Sequence, residues 1–143
     1  MKYFTLIIIF ILNFALQINA QDAKVKKGKK YYEFYNYYKS IEKYEVLQDK
    51  TYEIKKELAY SYFFTGQYAK AEQYFNEILN EQNSNLDDIY TFVKVLMINQ
   101  KYEDALQWMD KFKQLAPSDK RAELFSSKKG FYNEYRKTKV IFL

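Results

Sequence analysis

The sequence contains no cysteine and no histidine among its 143 residues. It therefore cannot form a disulfide, supply a thiol nucleophile, build a Ser-His-Asp triad or hold an ordinary structural zinc ion. Proline occurs once and glycine three times, so the signals that mark turns between strands are almost absent. These absences favour a binding or structural role over catalysis.

Aromatic residues, by contrast, are abundant. The 16 tyrosines and 12 phenylalanines provide enough apolar area for a hydrophobic core. Because a domain usually needs roughly 100 to 200 residues, we expect one compact domain. The chain has 23 basic and 18 acidic side chains, a mild positive balance.

The first twenty residues have the organisation of a secretory signal peptide. Lys2 precedes an uncharged run over residues 3–16, and the small residue Ala20 stands just before Gln21. The run of about 14 residues is shorter than the roughly 20 that a spanning helix needs, so we expect cleavage after Ala20 rather than an uncleaved membrane anchor. Without a cysteine there is no bacterial lipoprotein signal. The sequence thus predicts export to the periplasm or the outer-membrane surface without a lipid anchor.

A run of lysines opens the predicted mature chain. Such a run can contact an anionic membrane surface or nucleic acid, but a short one more often forms the solvated face of a helix. Only Arg121 and Arg136 carry the planar fork that binds phosphate bidentately. We therefore expect no nucleic-acid partner and membrane contact only through peripheral association. The lysines are Lys24, Lys26, Lys27, Lys29 and Lys30.

Two segments repeat one another at a spacing of 34 residues, which is the period of the tetratricopeptide (TPR) repeat. The spacing of the repeated residues has a physical reason. Two antiparallel helices pack closely only if small side chains, such as those of Ala59 and Ala71, lie where the helices cross. Gly66 lies at the bend, where a positive φ is expected, and Gln100 in the same place suggests a slightly different turn. The matched residues are Leu58, Ala59, Tyr62, Gly66, Tyr68, Ala71, Phe75 and Ile78 with Phe92, Val93, Leu96, Gln100, Tyr102, Ala105, Met109 and Phe112.

A weaker first unit precedes these two, with Ser40 in the place of the small alanine. Ser40 and Ala71 are 31 residues apart, so we expect a shortened connection around residues 48–51. Pro117 should end the second helix of the third unit, and Ser118 should cap a short closing helix. The predicted fold is an all-α TPR helical-hairpin solenoid of about three repeats. Its repeat domain covers 21–125, with units 23–48, 52–81 and 86–115, helices at 23–35, 37–48, 52–65, 68–81, 86–99 and 102–115, a closing helix at 118–127 and a tail at 128–143.

The order of these motifs resembles a particular group of proteins. It is similar to the N-terminal TPR region of the large OmpA-family envelope proteins of Bacteroidetes, some of which are similar to the PorE component of type IX secretion. The resemblance covers about residues 22–135. It rests on Tyr37-x-x-Ser40-Ile41-x-x-Tyr44, Ala59-Tyr60-Ser61-Tyr62-Phe63-Phe64-x-Gly66, Trp108-Met109-Asp110-Lys111-Phe112 and Arg121-Ala122-x-Leu124-Phe125.

This resemblance implies an envelope protein whose propeller, β-sandwich and peptidoglycan-binding domain would follow the TPR region. The present sequence ends at Leu143, where the propeller should begin. We therefore expect a non-enzymatic interaction module, with a truncated piece of an OmpA-like protein without independent activity as the alternative. No peptidoglycan-binding residue carries over to this chain.

In TPR stacks the first helix of each repeat lines a concave groove that binds an extended peptide or a helix. The alternative is that part of this surface packs against the neighbouring repeat. Only Lys56 suits a clamp for a peptide carboxylate, so a chaperone-type clamp is not expected. The predicted groove residues are Glu53, Lys56, Glu57, Tyr60, Phe63, Phe64, Asp87, Tyr90, Thr91, Lys94, Met97 and Ile98.

The remaining candidates have structural explanations. The pairs Asp87-Asp88 and Glu103-Asp104 stand at predicted helix starts, where acids complement the macrodipole, and neighbours on a helix point apart. We therefore expect no catalytic residue, no metal site and no cofactor, and Trp108 should pack in the core or against the closing cap. The aromatic residues Tyr31, Tyr32, Phe34, Tyr35, Tyr37 and Tyr38 should pack between the first two helices.

Overall fold

The computed structural model describes residues 21–80 and 85–122. Within these ranges the chain is all-α and forms no strand, which confirms the predicted fold class. The predicted signal peptide, residues 123–127 of the closing helix and the tail at 128–143 lie outside the described residues. The helices are α1 at residues 21–33, α2 at Tyr37–Glu45, α3 at Tyr52–Phe64, α4 at Tyr68–Leu79, α5 at Leu86–Ile98, α6 at Tyr102–Leu115 and the start of α7 at residues 120–122.

The chain divides into two compact units, and the boundary falls between Gln67 and Tyr68. Unit 1 contains α1, α2 and α3, and α2 packs on α3. Unit 2 contains α4, α5, α6 and the start of α7, and α5 packs on both α4 and α6. In both units, therefore, helices that are consecutive in sequence pack together, as in a helical repeat protein.

The first helices α1, α3 and α5 end in the same three-residue turn. Its central residues Tyr35, Gly66 and Gln100 have φ values of 58°, 76° and 62°. After α3, Gly66 N–H donates to the Phe63 carbonyl at 3.2 Å and Gln67 N–H donates to the Tyr62 carbonyl at 2.9 Å. This pair of hydrogen bonds is the Schellman motif, and it recurs in the other two turns.

The positive φ predicted for Gly66 is confirmed, whereas the different turn expected at Gln100 is wrong. Gln100 N–H donates to Met97 at 3.1 Å and Lys101 N–H donates to Leu96 at 2.8 Å, as in the Gly66 turn. These bonds hold glutamine in the left-handed region, which costs a non-glycine residue about 1 kcal/mol or more. The turn is thus set by backbone hydrogen bonding rather than by glycine.

The shorter period of the first repeat arises in α2, not in the connection that follows it. The connection at residues 46–51 has six residues, as many as residues 80–85, but α2 has 9 residues and α4 has 12. Lys50 Nζ donates to the Glu45 carbonyl at 3.4 Å and to the Leu47 carbonyl at 3.0 Å. Because these bonds satisfy carbonyls at the end of α2, the helix can stop about one turn early.

The small residues predicted at the helix crossings are buried. Ser40, Ala59, Ala71 and Ala105 are at most 1% exposed. Gly28 on α1 allows the closest approach, because a Cβ there would lie 2.4 Å from the Tyr44 ring. The other residues of the repeat pattern fall into two groups: Leu58, Tyr62 and Phe75 are buried, whereas Tyr68 and Tyr102 are half-buried and Gly66 and Pro117 are exposed.

The closing helix begins differently from the prediction. The helix α7 starts at Lys120, and the Asp119 carboxylate accepts the Arg121 N–H at 2.9 Å, so Asp119 is the cap and Ser118 is not. The longer reach and full charge of the aspartate suit the position directly before the helix. Within residues 21–80 and 85–122, no helix is long and apolar enough to cross a membrane.

Candidate functional site

A stripe of predicted groove residues runs along α3 in unit 1. Glu53, Lys56, Tyr60 and Phe63 follow one another at intervals of three or four residues, so they share one helix face. Glu53 is exposed, and the other three are half-buried. The opposite side of the helix is buried and holds Ile54, Leu58, Ala59, Ser61 and Tyr62.

Aromatic rings occupy the carboxyl-terminal half of this stripe. Phe64 is 55% exposed, and its ring stacks on Tyr37 at a centroid distance of 4.7 Å. The Phe63 ring lies 5.3 Å from Phe64, and the Tyr60 ring lies 6.3 Å from it. We call Tyr37, Tyr60, Phe63 and Phe64 the aromatic face. It offers large apolar area on rigid side chains, which suits the binding of apolar side chains.

Glu57 belongs to the predicted groove but turns toward α2. Its carboxylate accepts a hydrogen bond from the Tyr44 hydroxyl. Burial raises the pKa of Glu57, while the hydrogen bond from Tyr44 and the charge of Lys29 oppose that rise. Burial and the bond to Glu57 also raise the pKa of Tyr44. Glu57 therefore joins α2 to α3 inside unit 1.

A surface cavity of about 520 Å³ opens beside Glu57. Four carboxylates border it, those of Asp22, Asp49, Glu53 and Glu57, together with the amine of Lys29. Across the part of the chain that the structure describes, no group of three or more acidic side chains could hold a metal ion. The cavity thus offers separated charges rather than a coordination shell.

The predicted groove residues of unit 2 lie on α5. Tyr90 is half-buried, and Lys94 Nζ lies 5.4 Å from the centroid of its ring. Met97 is half-buried and Ile98 is 47% exposed, so apolar surface continues toward the end of the helix. Thr91 is buried, so its side chain offers little surface to a ligand.

Arg121 covers the beginning of this α5 face. Its guanidinium group stacks over Tyr90 at 5.1 Å and over Phe112 at 5.2 Å. It bonds Asp87 at 2.6 Å and Asp119 at 2.8 Å, and these bonds raise the pKa of Arg121 and lower the pKa of Asp119. This role of Arg121 was not predicted from the sequence. The available signal was that Arg121 is the sole arginine of the predicted repeat domain.

The acidic pairs stand in the first turns of α5 and α6, as predicted. Asp88 forms a capping box with Asn85, whose side chain accepts the Asp88 N–H at 2.9 Å. The position of these acidic pairs is therefore explained by capping and by the helix macrodipole.

The predicted burial of the tyrosine-rich segment between α1 and α2 is wrong for half of its rings. Phe34, Tyr35 and Tyr38 are 71%, 78% and 69% exposed. They lie at the turn between the two helices, beyond the crossing of Gly28 with Tyr44, and this crossing is too close to admit further rings. Trp108 is half-buried, with its ring edge-to-face on Phe92 at 5.3 Å.

The comparisons with known proteins add no assignment, because neither a protein-family model nor a curated protein matches this chain. The interpretation of the site therefore depends on its geometry.

Proposed function

We propose that this chain is a TPR-type module that binds a segment of another protein and has no enzymatic activity. The observation that carries the proposal is the aromatic face on α2 and α3, where Phe64 is 55% exposed and three further rings adjoin it. Exposed apolar patches of this kind on small proteins often mark interaction sites.

The turns support the assignment to the TPR type. Their central residues Tyr35, Gly66 and Gln100 are 31 and 34 residues apart, and each follows a first helix. Small residues at the crossings repeat with the same spacing. A fixed period combined with one recurring turn is typical of helical repeat proteins.

The binding mechanism would be burial of an apolar partner segment against the aromatic face. Phenylalanine and tyrosine lose little conformational entropy on binding, so their burial contributes much of the affinity of such contacts. Glu53 and Lys56 lie on the same stripe of α3 and would set the register of the segment through their charges. In unit 2, Lys94 and Met97 offer a further, separate contact surface.

We further propose that the chain is exported and works in the periplasm or at the outer membrane after loss of residues 1–20. This follows from the signal-peptide pattern and from the resemblance to Bacteroidetes envelope proteins, which also suggests a link to type IX secretion. Intact-mass measurement of the protein from the envelope fraction tests export. A mass that includes residues 1–20 would contradict cleavage, and a much larger mass would identify a multidomain anchor.

Site-specific photo-crosslinking tests the binding face. A photoreactive phenylalanine analogue at Phe64 should crosslink one partner protein, whereas the same analogue at Leu115, which is 59% exposed in unit 2, should not. With the purified partner, Tyr60→Ala combined with Phe63→Ala should weaken binding by about tenfold or more. Leu115→Ala is the matched control. Equal crosslinking at both positions, or unchanged affinity in the double variant, would remove the aromatic face from consideration.

A further inference from the structure

Three aromatic side chains project at the turn between α1 and α2. Phe34, Tyr35 and Tyr38 are each more than two-thirds exposed. They lie within five residues of one another around a three-residue turn, so they form one small apolar tip at the end of a helical pair. We call these three residues the aromatic tip. It adjoins the aromatic face, since the Tyr35 ring lies 6.3 Å from Tyr37.

The backbone does not require an aromatic residue at this place. Tyr35 occupies the left-handed position of the turn with φ 58°, where glycine is least strained. The equivalent positions in the other two turns hold Gly66 and Gln100. Tyr35 is held there by its N–H bond to the Tyr32 carbonyl at 2.9 Å. A bulky ring kept exposed on a strained residue points to a contact outside the chain.

Two lysines flank the aromatic tip, whereas Lys29 faces the cavity beside Glu57. Lys30 is in the last turn of α1, and Lys39 is in the first turn of α2. At about 1.5 Å of rise per residue, these ammonium groups lie within roughly one Debye length of the tip. Glu33 is the acidic residue between them.

Basic residues are frequent in this part of the sequence. Residues 21–45 contain seven lysines and four acidic residues, residues 46–122 contain ten basic and twelve acidic residues, and residues 123–143 contain five basic and two acidic residues. The first helical pair is therefore positive, whereas residues 46–122 are slightly negative. An anionic surface would be attracted to this helical pair.

We propose that the aromatic tip is a contact site for an anionic lipid bilayer, and this proposal does not depend on the partner-binding function. Phenylalanine and tyrosine insert at the headgroup level, where the ring is apolar and the hydroxyl stays wet. Lysines beside them attract the negative surface of the membrane. A turn at the end of two helices cannot enclose a peptide, but it can enter a lipid interface. Lysine carries a point charge that suits a diffuse anionic surface, whereas bidentate recognition of a carboxylate or phosphate favours arginine.

The test is co-sedimentation of the full chain, purified in the form that accumulates in the cell, with lipid vesicles. Vesicles of phosphatidylcholine with phosphatidylglycerol should bind the protein, and vesicles of phosphatidylcholine alone should bind it weakly. High salt should weaken the binding, because it screens lysine charges. Phe34→Ser combined with Tyr38→Ser should reduce affinity by about tenfold or more. Lys30→Gln and Lys39→Gln should each reduce it by about fivefold.

A matched pair of glycine variants separates membrane contact from folding. Tyr35→Gly and Gln100→Gly change the same position of the same turn, and glycine relaxes a positive φ in both, so both should melt at a higher temperature. Only Tyr35→Gly should weaken vesicle binding. Lys113→Gln combined with Lys120→Gln is the charge control and should bind like the parent.

Three results would overturn the proposal. The first is a parent protein that does not bind the anionic vesicles. The second is equal binding by the Tyr35→Gly and Gln100→Gly variants, which would place any membrane contact elsewhere in the chain, for instance in residues 1–20 or in the basic residues 123–143. The third is binding of a soluble protein, but of no vesicle, to the aromatic tip. The ligand of the tip would then be a protein surface.

Discussion

The two units share one turn and one kind of period, yet different interactions stabilise their helices. In unit 1, tyrosine hydroxyls bridge helices to carboxylates, with Tyr44 bonded to Glu57 and Tyr62 bonded to Glu45 at 2.6 Å. In unit 2, α5 buries the apolar side chains of Ile89, Phe92, Val93, Val95 and Leu96. The comparison teaches that the repeat specifies helix order and turn geometry, while the chemistry of the contacts is free to vary.

Polar groups of unit 2 also connect the ends of helices. Asn99, at the end of α5, donates to the Tyr68 carbonyl at 3.2 Å and to Glu72 at 2.8 Å. Lys101 pairs with the same glutamate at 2.5 Å. These bonds fix the end of α5 on the beginning of α4. Unit 1 should therefore respond more strongly to changes of its hydroxyl and carboxyl groups than unit 2.

The largest expected effect comes from the closest helix crossing. Gly28→Val should destabilise unit 1 by about 2–3 kcal/mol, because the new side chain would overlap the buried Tyr44 ring. Urea unfolding followed by circular dichroism measures this change. Hydrogen exchange should rise in α1 and α2 before it rises in α5. Ala23→Val, at an exposed position of the same helix, is the control and should change stability by less than about 0.5 kcal/mol.

An intermediate effect is expected at alkaline pH. Burial and hydrogen bonds to carboxylates raise the pKa of Tyr44 and Tyr62 above the ordinary value of 10.0. Above that pH the unfolded chain loses these protons while the folded chain keeps them. The free energy of unfolding should therefore be unaffected by these groups below about pH 10 and fall by at most about 1.4 kcal/mol per pH unit for each tyrosine above it.

Urea unfolding at a series of pH values, with hydrogen exchange to resolve the units, checks this expectation. Above about pH 10, Tyr44→Phe should remove one proton's contribution from the slope of the free energy of unfolding against pH. Unit 1 should open before unit 2. A slope that the substitution leaves unchanged would show that Tyr44 titrates alike in the folded and unfolded chains.

The smallest effect concerns a single hydroxyl of unit 1. Ser61 is fully buried on α3, and among the described residues its Oγ has no hydrogen-bond partner. Ser61→Ala should therefore stabilise the protein by about 0.5 kcal/mol, since it removes an unsatisfied buried group and favours helix. Ser40→Ala is the opposite control and should cost about 1 kcal/mol, because Ser40 Oγ donates to the Gly28 carbonyl at 3.1 Å. Thermal melts of both variants decide the matter, and a loss of stability in Ser61→Ala would indicate an unrecognised partner.

Much of the fold was predictable because the repeat is local. Helix existence, the bend at Gly66 and the small residues at the crossings follow from spacings of a few residues and from the 34-residue period. The end of α2 was not predictable in this way. It depends on Lys50 folding back onto carbonyl groups, which no periodicity encodes.

The candidate site was predictable only in part. The stripe on α3 follows from helical spacing, but spacing does not separate a buried ring from an exposed one, so the exposure of Phe34, Tyr35 and Tyr38 was missed. Contacts between distant residues were also beyond reach. Arg121 bonds Asp87, which precedes it by 34 residues, and Tyr44 bonds Glu57 thirteen residues away.

The six-residue connection between α2 and α3 has a practical consequence for labelling. Lys50 and the buried Leu47 hold it in place, while Gln48 and Asp49 are exposed. Because the native sequence has no thiol, one cysteine at Gln48 would be the sole attachment point for a dye or an affinity handle. Gln48 lies three residues after the end of α2 and four residues before the start of α3. A reporter at this position can therefore follow the protein in cells without altering a turn of the repeat.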